Sequence, residues 1–231
     1  MNAWTPLTAI VPAAGVGKRM AADIPKQYLP LAGRTVLEHT LSRLLEHPAI
    51  TRIVVATGEQ DEWFPTLAIA RDTRIERVIG GRERADSVLN ALARVDTGRV
   101  LVHDAARPCL HRCDLDALLT AADQPQGAIL ACRVRDTMKR GDGRGAIMES
   151  VSRDELWHAL TPQCFATGPL RRALSAALRQ GLAITDEASA MEWAGFHPRL
   201  VEGRGDNIKI TRPEDLALAA FFLQQMIESE T

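Results

Sequence analysis

The sequence predicts an α/β fold: a mostly parallel central sheet with helices on both faces, in three layers. Three observations point there. Short β-rich apolar runs recur through the first half, helical patterns separate them, and a glycine-rich basic segment directly follows the first run. Strands alternating with helices favour a parallel sheet covered on both sides. With 231 residues, folding buries roughly 70–75% of the unfolded chain's surface, enough for a sizeable core.

Thr8-Ala9-Ile10-Val11, stopped by Pro12, reads as a buried strand. Thr35-Val36-Leu37-Glu38 has the form of a capping box. Val36, Leu37, Leu41, Leu44 and Leu45 then follow helical spacing until Pro48. Further strands are expected at Arg52–Ala56, Ile75–Ile79 (ending in Gly80-Gly81), Val100–Val102 and Ala128–Ala131. Helices fall between them, carrying Val88, Leu89 and Leu92, then Leu115, Leu118 and Leu119. The pattern breaks from Val134 to Leu160, where Gly141-Asp142-Gly143-Arg144-Gly145 is a strong turn signal. Ile147–Val151 reads as a strand returning from it. A hairpin with so little apolar content cannot build its own core, so it is expected to project and pack on a second subunit. Helices near Pro169–Gln180 and Asp186–Ala194 follow, then strands near Leu200–Glu202 and Asn207–Ile210. A last helix opens at Thr211-Arg212-Pro213-Glu214, a second capping-box pattern.

The charge balance excludes several functions. Lys and Arg total 28 against 29 acids, a net charge of -1, so no global field recruits nucleic acid or anionic lipid. No run approaches the roughly 20 apolar residues of a membrane span. Met1–Leu7 lacks a signal-peptide pattern. Cys109, Cys113, Cys132 and Cys164 form neither a disulfide nor a zinc spacing, and a reducing cytoplasm is the expected compartment. Cys109-Leu110-His111-Arg112-Cys113 lacks a second ligand pair and reads as packing.

Ligands on open α/β sheets sit at the carboxyl ends of the strands. That rule brings Pro12–Arg19, Gly80-Gly81 and Asp104–Arg107 to one rim. Pro12-Ala13-Ala14-Gly15-Val16-Gly17-Lys18-Arg19-Met20 can bend closely around phosphate oxygens and offer backbone N–H groups to them. It is neither a Walker A loop nor a dinucleotide fingerprint, and by itself it could be a tight turn with solvated charges. Pro25 and Pro30 stiffen the segment that carries Lys26. In His103-Asp104-Ala105-Ala106-Arg107-Pro108, the carboxylate could take Mg²⁺ or a substrate hydroxyl and the arginine a phosphate. An internal ion pair is the plainer reading of those two residues.

These segments resemble the 2-C-methyl-D-erythritol 4-phosphate cytidylyltransferase family nearly end to end. The likeness runs through Val11–Met20, Pro25–Leu29, Gly80–Val88 and His103–Pro108. It continues through Val134–Arg140, Leu156–Gln163, Thr185–Ala188 and Gly205–Lys209. Many motifs in one order are far more specific than a glycine pattern. The resemblance implies a three-layer Rossmann-like nucleotidyltransferase fold with a projecting β-hairpin arm. It implies one domain over residues 1–231, with no room for the synthase domain that some relatives carry fused, and a homodimer through an arm at about 134–160. It also implies CMP transfer from CTP to methylerythritol phosphate, with Mg²⁺, releasing pyrophosphate. A related cytidylyltransferase acting on ribitol 5-phosphate is the nearest alternative.

The nucleophile in that reaction is already an anion, so catalysis reduces to positioning and charge neutralisation. By resemblance, Arg19 and Lys26 stabilise the transition state and the departing pyrophosphate. Ala13, Ala14 and Gly15 hold the nucleotide, with Gly81 and Ser87 near its base and ribose. Asp104, Arg107, Thr161, Thr185 and Lys209 meet the sugar alcohol. Thr137 and Arg153, on the arm, complete the partner subunit's site. Asp104 is the candidate metal ligand. Arg82 stands where some relatives carry an acidic residue, so the resemblance gives it no role, and Lys18 is at most a secondary phosphate contact.

Overall fold

The structure is a computed structural model that describes residues 4–15 and 24–230. Its strands are β1 (Leu7–Pro12), β2 (Pro30–Leu31), β3 (Arg34–Thr35), β4 (Ile50–Thr57), β5 (Ile75–Ile79), β6 (Arg99–Val102), β7 (Ala128–Arg133), β8 (Met138–Gly141), β9 (Ile147–Val151), β10 (Trp157–Ala166) and β11 (Arg199–Glu202). The helices are α1 (Val36–Leu45), α2 (Arg84–Leu92), α3 (Arg112–Ala121), α4 (Thr167–Arg179), α5 (Glu187–Trp193) and α6 (Glu214–Glu230).

Seven strands form the main sheet in the order β11-β7-β10-β6-β1-β4-β5. All neighbours pair in parallel except β10, which runs antiparallel to both β6 and β7. Alternation along each strand divides the core. Leu7, Ala9, Val11, Ile53, Val55, Leu101 and Leu130 face one cluster with α1 and α3. Ile10, Val54, Ala56, Val100, Val102 and Ile129 face the other, with α2, α4 and α5. Both faces are thus apolar and both are covered, which gives the three layers. A third cluster joins α6 to Leu31, Val36, Ala106 and Ile210 behind the rim.

α1 begins as the sequence requires. Thr35 Oγ1 accepts from the Glu38 amide at 3.2 Å, and Glu38 accepts in return from the Thr35 amide at 2.9 Å. The last helix differs in its anchor. Asp215, rather than Glu214, accepts from the Thr211 and Arg212 amides at 2.8 and 2.9 Å. Asn207–Ile210 is no strand either. Its Ile210 amide bonds the Ala106 carbonyl, and its other polar groups serve the site rather than a ladder. Trp157–Ala166, expected as a strand nowhere in the alternating pattern, is a full strand of the main sheet.

The arm exists as a separate two-stranded sheet, β8 with β9. Asp142 closes its turn, with Oδ1 accepting from the Arg144 and Ala146 amides at 2.7 and 3.1 Å. Ile147 and Met148 stand 67% and 66% exposed on it. No described helix is long and apolar enough to cross a membrane.

Candidate active site

β1, β5 and β6 all end at one rim, and the residues after each strand line a cavity of about 260 Å³. Pro12–Gly15 supplies one wall, Gly81–Arg84 with Ser87 a second, and Asp104–Ala106 a third. Lys26, Gln27 and Lys209 complete the lining. The rim expected from the strand-end rule therefore exists among the described residues. Arg19 and Lys18 lie outside the described residues.

Gln27 fixes the loop after β1. Its side-chain amide, 3% exposed, donates to the Ala13 carbonyl at 2.6 Å and the Gly15 carbonyl at 3.1 Å. With those carbonyls turned toward Gln27, the loop is held in one path. Lys26, on the same short helical turn, donates from Nζ to the Ile210 carbonyl at 2.8 Å. The sequence places Gln27 within a motif but assigns it no task, because an amide's partners are set only by the fold.

The second wall is closely packed. A Cβ on Gly80 would come 2.7 Å from Ala14 Cβ and 2.8 Å from Ser87 Oγ. A Cβ on Gly81 would overlap the Asp86 Cβ. Only glycine lets this strand end approach both the first loop and α2. α2 takes its cap from the residue before Arg84. Glu83 holds that position, while Ser87 Oγ accepts from the Gly81 amide at 2.9 Å and donates to the Glu83 carbonyl at 3.1 Å.

Asp104, 7% exposed, organises the third wall. Its Oδ1 takes a bond from Arg84 Nε at 3.1 Å, and its Oδ2 lies 2.8 Å from Lys209 Nζ. Arg107 Nε stands 3.5 Å from Oδ2, an ionic contact without hydrogen-bond geometry. Burial pushes the carboxyl upward, but Arg84, Lys209 and Arg107 overcome it and hold Asp104 well below the usual carboxylate range. Asp104 is therefore an anion that accepts hydrogen bonds, with no proton to give.

Behind it lies a buried polar chain. The Asp104 amide donates to Thr161 Oγ1 at 3.0 Å, and Thr161 Oγ1 lies 3.0 Å from His103 Nδ1. His103 Nε2 lies 3.0 Å from the Arg107 carbonyl, which can only accept. The proton therefore sits on Nε2, and Nδ1 accepts from the threonine hydroxyl. Burial lowers the His103 pKa to about 4. Asn207 Nδ2 donates to the Thr161 carbonyl at 2.9 Å, and Arg107 Nη1 donates to the Asn207 carbonyl at 2.6 Å.

Arg107, Thr161, Thr185, Thr137 and Arg153 do not line the cavity. Thr161 is 5% exposed, with its hydroxyl engaged on both sides. Thr185 is exposed just before α5, its Oγ1 3.5 Å from Ser189 Oγ. Thr137 and Arg153 flank the arm strands, are exposed, and are not among the cavity's lining. Arg153 Nη1 donates to the Arg135 carbonyl rather than pairing with Asp154 or Glu155. Arg82 is exposed in the second wall.

No group of three or more His, Cys, Asp or Glu side chains among the described residues could hold a metal. Asp104 is already shared by three cations, and a divalent ion there would have to displace them. The described residues do not fit a metal held by the protein itself.

A cavity at the strand ends, with lysines and a fixed carboxylate in its walls, suits group transfer between two phosphates; the chain is a nucleotidyltransferase. The sequence model of the 2-C-methyl-D-erythritol 4-phosphate cytidylyltransferase family matches residues 7–225. The protein of that name from Aeromonas hydrophila is 66% identical over 219 residues, 95% of this chain and 90% of the relative. That from Tolumonas auensis is 60% identical, covering 94% of this chain and 96% of the relative. Among solved structures, the Francisella tularensis enzyme superposes with a TM-score of 0.82 at 36% identity, covering 94% of this chain and all (100%) of the other. The Thermus thermophilus enzyme gives 0.82 at 32%, with 95% and 100% coverage. The chain belongs to the 2-C-methyl-D-erythritol 4-phosphate cytidylyltransferase family.

Proposed function

We propose that the rim cavity binds CTP against the first two walls and a polyol phosphate against the third. The family activity is this chain's activity: CMP passes from CTP to 2-C-methyl-D-erythritol 4-phosphate in isoprenoid biosynthesis. An oxygen of the polyol phosphate attacks the α-phosphorus of CTP, the Pα–O bond to the β-phosphate breaks, and pyrophosphate leaves with that electron pair. No proton need be removed from the nucleophile. The protein's work is to align the two phosphates and neutralise charge.

Ala13, Ala14 and Gly15 offer the nucleotide a fixed backbone, with Gly81 and Ser87 at its base and ribose. Lys26 faces the triphosphate from across the cavity, and Arg19 joins it by family resemblance. Asp104 accepts from polyol hydroxyls, while Lys209 and Arg107 set positive charge around it. Thr161, its hydroxyl occupied, serves by fixing Asp104 rather than by reaching the polyol. Thr185 would meet the polyol by family resemblance alone. Mg²⁺ would travel on the phosphates of CTP, which suits a hard cation that retains water and takes few protein ligands. Support for an arm-mediated homodimer is the exposure of Ile147 and Met148 on a hairpin that has no core of its own. Thr137 and Arg153 would then enter the partner's cavity. A cytoplasmic setting fits four unpaired cysteines.

The observation that carries this reading is the cavity that joins Lys26, the Ala13–Gly15 loop, Asp104 and Lys209. Pyrophosphate release from CTP with each polyol phosphate tests it. Turnover with methylerythritol phosphate is expected, and turnover with ribitol phosphate alone would overturn the assignment.

A further inference from the structure

A half-buried Arg84 and a buried Glu187 form an ion pair at the rim, and neither has a task in the reaction proposed for this cavity. Glu187, 1% exposed, takes both terminal nitrogens of Arg84: Nη1 to Oε1 at 2.6 Å and Nη2 to Oε2 at 3.0 Å. Of the Arg84 donors that remain, Nε is the one that reaches Asp104, Oδ1 at 3.1 Å. The pair also joins the starts of two helices, since Arg84 opens α2 and Glu187 opens α5. α5 is itself pinned to β10: Gln163 Nε2 donates to Asp186 Oδ2 at 2.8 Å, and Gln163 Oε1 accepts from the Ala188 amide at 2.9 Å.

A guanidinium fork beside a lone carboxylate takes both of its oxygens. Here Glu187 occupies the fork, so Asp104 receives a single N–H from Arg84 and one close contact from Lys209. A carboxylate has about four lone-pair sites; Arg84 and Lys209 take two, Arg107 stands off at 3.5 Å, and Asp104 lines the cavity. We infer that Glu187 is a positioning residue: by holding the fork of Arg84, it keeps Asp104 able to accept hydroxyls of the polyol. This rests on the assignment of Asp104 to the polyol under the proposed function.

Glu187→Gln keeps the shape of the side chain but can accept from only one of the two nitrogens, which frees the other to turn onto Asp104. The KM for methylerythritol phosphate is expected to rise roughly tenfold, the worth of one hydrogen bond to a charged group, while the KM for CTP stays within about twofold. The double variant Arg84→Gln/Glu187→Gln leaves no orphaned buried charge, so its Tm should recover toward that of the parent. Its polyol KM should fall back toward that of the parent, because no fork remains to turn onto Asp104, which keeps Lys209 and Arg107 beside it. Asp104→Asn is the control for the underlying assignment. If that variant leaves the polyol KM unchanged, the reading of Asp104 is at fault. If it raises the polyol KM while Glu187→Gln does not, the positioning role is overturned. A polyol KM that stays fully raised in the double variant, or an equal rise in both KM values in Glu187→Gln, would overturn it too.

Discussion

His103 shows how much a single buried ring can hold at this rim. It fixes Thr161 on one side and the Arg107 carbonyl on the other, and its pKa is lowered to about 4 by burial. Below its ordinary pKa of about 6.5 the unfolded chain takes up a proton that the folded chain refuses. Stability should therefore be complete above about pH 6.5 and fall as pH drops toward 4, by at most about 1.4 kcal/mol per unit from this group. Chemical denaturation across that range, with a His103→Asn variant for comparison, measures the contribution. A variant with the same slope would remove His103 as its cause. Thr161→Val leaves the Asp104 amide and His103 Nδ1 without partners. It should cost about 1–3 kcal/mol of stability and raise the polyol KM, as read by denaturant midpoint and steady-state kinetics.

Elements explain why the rim can be built at all. Gly80 and Gly81 end β5 where it meets α2 and the first loop, and neither has room for a methyl group. Gly80→Ala should push Ala14 and Ser87 apart and weaken CTP binding by roughly tenfold or more, since overpacking costs about 1–3 kcal/mol. Isothermal titration with CTP reads this directly. Strands with unbroken β-branched runs, such as Ile53-Val54-Val55, were legible because both of their faces are buried and no polar pattern interrupts them. The capping box of α1 was legible because its partners are three residues apart. β10 was not, since Trp157-His158-Ala159-Leu160-Thr161-Pro162 mixes polar and apolar residues as it crosses from the arm into the sheet. Asn207–Ile210 misled because its alternation reflects the contacts of Asn207, Lys209 and Ile210 with the rim rather than a ladder. The rim itself was legible from strand ends and glycines. The tasks of Gln27, Arg84 and Glu187 were not, because each depends on partners 12 to 103 residues away.

At the scale of the whole molecule, a net charge of -1 means that the site must concentrate its own cations. Arg84, Arg107 and Lys209 surround one aspartate, with Lys26 across the cavity. The arm raises a separate question of assembly. Mixing Lys26→Ala chains with Arg153→Ala chains should restore part of the lost activity, because one mixed site would then carry both residues. An absence of complementation, in a mixture shown to exchange subunits, would count against a shared site.

The division of labour across the cavity, Lys26 for the reacting phosphates and Asp104 for the polyol, is the centre of this account. Steady-state pyrophosphate release by Lys26→Ala and Asp104→Asn, with both substrates varied, tests it most directly. Lys26→Ala should lower kcat by roughly 10²–10³, as loss of one transition-state donor does. Asp104→Asn should chiefly raise the KM for methylerythritol phosphate and leave the KM for CTP within about twofold. A near-normal kcat in Lys26→Ala, or a rise in the CTP KM alone in Asp104→Asn, would contradict it.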